Sequence, residues 1–84
     1  MNDKVLVDVY VPSIDKSYNI YLPLFSKFSE IEPLISKAIM DLSDGNYNEG
    51  NNPIICNRET GESLDKTKTV YDLKIDNGTR LMLL

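Results

Sequence analysis

At 84 residues the chain is the size of one small domain, 1–84. With 42% hydrophobic and 26% charged residues it is globular rather than disordered. Its net charge of −4, with nine basic residues interleaved with acids, argues against nucleic acid, which needs a basic face to displace counterions. No apolar run approaches the ~20 residues of a membrane helix, so no direct membrane insertion is expected. The start of the chain lacks the basic and apolar regions of a signal peptide, and the single cysteine, Cys56, fits a reducing compartment. These features predict a cytoplasmic protein.

From Lys4 to Val11 the residues alternate, with Val5, Val7, Val9 and Val11 on one face and Leu6, Asp8 and Tyr10 on the other. Pro12 ends this strand, since proline has no N–H for the ladder. Tyr18, Ile20 and Leu22 form a second alternating run that stops at Pro23, and the short polar link makes the pair an antiparallel hairpin. Keeping both apolar faces together requires odd-sum pairing, and Val11 opposite Tyr18 is the expected register.

Residues 24–28 read as a loop with two aromatics. The helix that follows starts at one of two places. Ser29 with Glu32 has capping-box spacing, whereas counting from Glu32 puts Pro33 at the favoured first position. Leu34, Ile35, Ala38, Ile39 and Leu42 make one helical stripe, and Gly45 is the stop. The polar segment 44–52 has Asp44, Asn46 and Asn48 at alternate positions, like a calcium loop. Glu49 and Ile55 stand where that pattern requires Gly and Glu, so no metal site is expected and a mobile loop is. Residues 53–57 form a short strand whose inward residue is not set by so few positions. A turn through Gly61, a short extended piece at Ser63 and Leu64 and a polar loop over 65–69 follow. Asn77 and Gly78 then signal a tight turn before a terminal strand in which Leu81 and Leu83 face one way and Arg80, Met82 and Leu84 the other.

One helix cannot bury its stripe alone and must lie across a sheet. Hairpin, helix, short strands and a terminal central strand predict an α+β β-grasp, with a mixed four- to five-stranded sheet and one helix across its inner face. The first and last strands become parallel neighbours. The expected core is Val5, Val7, Val9, Ile20, Leu22, Leu34, Ala38, Leu64, Val70, Ile75, Leu81 and Leu83.

The spacing of Leu64, Val70, Ile75, Leu81 and Leu83, with Gly61 three before Leu64, resembles the C-terminal half of ubiquitin. Within the ubiquitin-like folds the chain is most similar to the small bacterial YukD/EsaB proteins. Tyr18-Asn19-Ile20-Tyr21-Leu22-Pro23 resembles their second strand, Pro33-Leu34-Ile35 their helix start, and the run from Val70 to Leu84 their ending. The resemblance implies a cytosolic accessory of a bacterial type VII (ESX-like) secretion system. Such proteins accompany a membrane-bound ATPase and small helical substrates with a Trp-Xaa-Gly motif, and the implied protein partner is the secretion machinery, its membrane ATPase or associated components. It implies no enzymatic chemistry, and no catalytic residue carries over.

The residues point the same way. There is no histidine, the commonest general base and metal ligand. Cys56 has no histidine beside it and reads as a buried core thiol. A lone cysteine does not supply the four thiolates of an iron–sulfur cluster, and no Gly-rich phosphate cradle is present. No enzyme, cofactor or metal is therefore expected. The conjugating and sulfur-carrying relatives act through a terminal Gly-Gly, whereas this sequence ends at Leu84 in its last strand, so a modifier or sulfur carrier is the disfavoured alternative. A stand-alone adaptor binding an unrelated partner is the other. What remains is a protein-binding surface on the outer sheet face, expected to comprise Leu6, Tyr10, Met82 and Leu84, with Ile54 or Ile55 beside them; Ile55 is taken as the fifth member.

Overall fold

A computed structural model describes residues 3–47 and 53–84. Among the described residues are four strands and one α-helix: β1 (Lys4–Val11), β2 (Lys16–Pro23), α1 (Phe28–Leu42), β3 (Ile55–Asn57) and β4 (Arg80–Leu83). The sheet order is β2-β1-β4-β3. β1 runs antiparallel to β2 and parallel to β4, and β3 runs antiparallel to β4. This is the expected β-grasp, with the terminal strand at the centre and α1 across the inner face.

The hairpin register has the expected odd sum but is two residues tighter. Val11 faces Lys16 and Val9 faces Tyr18. The cause is a 3-10 turn over Pro12–Ile14, closed when Asp15, at φ 51°, donates its N–H to the Pro12 carbonyl. The connection is thus Pro12 to Asp15, and Lys16 is already in the ladder.

The helix begins earlier than either sequence reading allows. Lys27 is the N-cap and Phe28 the first helical residue. Lys27 has no side-chain acceptor, so only half a capping box forms: the Lys27 N–H donates to Glu30 Oε1 at 3.2 Å. The first helical N–H groups are satisfied from afar. Phe28 donates to the Lys68 carbonyl (2.9 Å) and Ser29 to the Lys66 carbonyl (3.0 Å). Pro33 sits inside the helix; the carbonyl it leaves without a helical donor belongs to exposed Ser29.

The buried face of the helix also differs from the expected stripe. The core stripe is Phe28, Ile31, Ile35 and Ile39, and Leu34 and Leu42 stand out at 63% and 58% exposure. Of the expected core, Val5, Val7, Val9, Leu22, Val70, Ile75, Leu81 and Leu83 are buried; Ile20, Ala38 and Leu64 are half-buried, and Leu34 is a surface residue. Val11, Tyr47 and Ile55 complete the core with the helical residues. Tyr47 belongs to the segment expected to be a mobile loop, yet it is 4% exposed and its N–H donates to Ser43 Oγ. Residues 48–52 of that segment lie outside the described residues.

Candidate functional site: the outer sheet face

The outer face is built in rows set by strand register. Leu6 is opposite Tyr21; Asn19, Asp8 and Arg80 form the next row; Ser17, Tyr10, Met82 and Cys56 form the third. Beyond Met82, Leu84 donates its N–H to the Ile54 carbonyl at 2.9 Å. Leu6, Tyr10, Met82 and Leu84 therefore share a face but not one patch. The row of Asp8 and Arg80 separates Leu6 from Met82, because parallel pairing places Tyr10, and not Leu6, beside Met82.

Ile55 is turned the other way. It is opposite Leu83, 2% exposed, and part of the core. Period-two alternation lets only one of two adjacent isoleucines join the core, and Ile54, 46% exposed, is the surface one. Sequence reasoning kept both open because β3 is three residues long, too short to display a period. The surface cluster is then Tyr10, Met82, Leu84 and Ile54, with Leu6 and Tyr21 at the far end.

Tyr10 is engaged on two sides. Its hydroxyl donates to Asp15 Oδ1 at 2.7 Å, and the Arg58 guanidinium lies 4.1 Å from its ring centre. The bond to the Asp15 carboxylate, with desolvation and the Asp15 charge adding to it, raises the Tyr10 pKa above its ordinary value, and Arg58 opposes this. The cluster is therefore an apolar floor beside a fixed guanidinium and a bound carboxylate. Arg58 and Asp15 gave no signal in the sequence, since both lie in turns and only the fold brings them to Tyr10.

Cys56 is 3% exposed but lies outside the core cluster. It pairs with Met82 in β4, bridges to Ser63 on its other side, and its thiol is 3.8 Å from the Met82 carbonyl. The thiol is therefore buried, as the sequence reading expected, at the margin of the main cluster. On another side of the molecule, Val5, Leu24, Tyr71 and Ile75 line an open hollow with Asp72, Lys74 and Asp76, and exposed Phe25 and Tyr71 pack ring to ring at 5.7 Å. No helix among the described residues is long and apolar enough to cross a membrane.

No family model and no curated protein matches the sequence. Solved structures do match the fold. The chain is similar to the ubiquitin-like domain of EccD5 from Mycobacterium xenopi, with TM-score 0.82 and 15% identity, covering 99% of this chain and 94% of that one. It is similar to the ubiquitin-like domain of the Mycobacterium tuberculosis type VII secretion protein EccD1, with TM-score 0.78 and 11% identity over 100% and 99% of the two chains. A chain of the MycP5-free ESX-5 inner membrane complex matches with TM-score 0.81 and 15% identity, over 99% of this chain and 21% of that one. At such identities the likeness establishes the ubiquitin-like β-grasp fold.

Proposed function

We propose that this domain is a non-catalytic, cytoplasmic accessory of a type VII secretion machine, of the YukD/EsaB kind. It works by protein–protein contact through the outer sheet cluster of Tyr10, Met82, Leu84 and Ile54. The observation that carries the reading is the similarity, over nearly the whole chain, to ubiquitin-like domains of EccD proteins from type VII systems. The partner is then a component of the membrane complex, such as its ATPase. The cluster suits that role because exposed Ile54 and Leu84 and half-buried Tyr10 and Met82 are contiguous in register, and Arg58 beside them gives a partner a charged group for orientation. Burying one large apolar side chain there would contribute about 1.5–3 kcal/mol to binding.

The test is a paired replacement in the native host. Ile54→Asp with Leu84→Ser changes two exposed side chains, so the fold is retained by circular dichroism. Co-purification with the secretion complex and export of the small helical substrates should fall together. A matched Leu6→Ser, Tyr21→Ser variant alters the far end of the face and should leave both intact. Parental export by a folded Ile54, Leu84 variant rules the cluster out.

A further inference from the structure

β2 is an edge strand. All its residues from Lys16 to Pro23 pair with β1 on one side, and among the described residues no strand lies on the other. An edge strand presents unpaired backbone N–H and C=O groups, and folds that keep an edge bare use short, bulged or charged strands. β2 is eight residues long and regular in register. Its lysine and proline stand only at its two ends, and residues 17–22 carry no charge.

Beside this edge runs an apolar groove of about 240 Å³, lined mainly by Ile20 and Leu22 of β2 and Ile31, Leu34 and Ala38 of α1. Leu34 stands on its rim at 63% exposure, and Leu42, two helical turns on, is 58% exposed. Small Ala38 between them leaves the gap. Alternate residues of a strand lie about 6.6–6.8 Å apart. Residues four apart on a helix lie about 6 Å apart. Both walls therefore repeat at the spacing with which an extended chain presents its side chains to one face. The open backbone and the groove ask for the same occupant. Electrostatics narrow it further: the chain carries −4, and the exposed side of α1 beside Leu34 bears Glu30 and Asp41, with Lys37 between them.

We propose that the β2 edge and the groove under Leu34 receive an extended segment of a partner protein as an added strand, with apolar residues at alternate positions and basic residues flanking them. This surface lies across β2 from the outer-face cluster, and its occupancy does not depend on that cluster.

Short random peptides displayed on phage are selected against the full chain, and the enriched peptides are synthesised and titrated by amide NMR. The expected peptides have apolar residues at alternate positions and flanking Lys or Arg. Their binding shifts resonances in residues 16–23, Leu34 and Ala38 and weakens with added salt. N-methylation of one alternate set of peptide amides should abolish binding, while the other set is tolerated. Leu34→Glu should weaken binding by about tenfold or more, and Leu34→Ala by less, both with unchanged circular dichroism. The proposal fails if no peptide is enriched, if enriched peptides carry helical spacing, or if the shifts map to Tyr10 and Met82. It fails equally if folded Leu34→Glu binds at parental strength. Concentration-dependent self-association in sedimentation that Leu34→Glu removes would mean that a second copy occupies the edge instead.

Discussion

The two flanks of α1 solve the same problem in opposite ways. On one flank the 65–69 segment closes over the helix. Its Lys66 and Lys68 carbonyls accept the Ser29 and Phe28 N–H groups, and Thr69 bridges to Lys27. Lys66 Nζ reaches Glu32 Oε1 at 3.0 Å. On the other flank α1 and the edge strand β2 line a groove between them, and Leu34 stands in solvent on its rim. The flank with backbone groups to satisfy is the one the chain covers, and the apolar flank is left open. Hydrophobicity alone would have sealed the leucine side, but the four exposed N–H groups at a helix start need acceptors.

The comparison breaks most visibly at the two side chains that begin and flank the helix. Phe28 is fully buried on the sealed side, so Phe28→Ala should cost about 3–5 kcal/mol. Leu34→Ala, on the open side, should stay within about 0.5 kcal/mol of the parent. Urea denaturation of both variants measures the contrast, and equal losses would mean that the two flanks are packed alike.

A smaller effect is expected at the ion pair. Glu32 is 7% exposed and its Oε2 is buried with no hydrogen-bond partner, while Lys66 is more than half exposed. Removing the cation strands a buried carboxylate, so Lys66→Ala should destabilise by about 1–3 kcal/mol. Glu32→Met removes the desolvated charge itself and should be neutral or stabilising. The thermal midpoint should therefore fall for Lys66→Ala and hold or rise for Glu32→Met; a loss for Glu32→Met as large as for Lys66→Ala would show the pair to be net favourable.

The smallest effect is a pH dependence of the sealing segment. Asp65 accepts from the Thr67 hydroxyl and N–H, and these bonds hold its carboxyl below the ordinary carboxylate range, with Lys68 assisting against a small desolvation. The folded pKa is depressed, so this contribution is present above the unfolded-state value near 3.9 and is lost as pH falls through the lower folded value. Thr67→Ala should flatten the acid limb of the stability curve slightly. An unchanged limb would mean that the Asp65 turn titrates as it does in the unfolded chain.

Much of the fold was legible because alternation is a strong signal over long stretches. The four valines of β1, the pair Leu81 and Leu83, and Asn77-Gly78 each carried their placement in the residues themselves. Even there the tertiary role of Asn77 was not visible: its Oδ1 accepts the Leu6 N–H at 2.8 Å, and Gly78 donates to the Leu6 carbonyl, extending the β1 ladder before β4 begins. The outer-face cluster was half legible. Alternation gave Met82 and Leu84, but the offset between parallel strands separated Leu6 from them.

By itself, then, the sequence determined which residues are apolar and with what period, and from these the strands, their faces and the β-grasp order follow. The tertiary structure decided the phase of α1, the side taken by Ile54 and Ile55, and the enclosure of Tyr47. The physical reason is common to all of these. Period is a local property that the backbone expresses within a few residues. A helix start or a three-residue strand is fixed by where distant hydrogen-bond partners stand, and here the partners of Phe28 and Ser29 are Lys68 and Lys66, and that of Ile55 is Leu83.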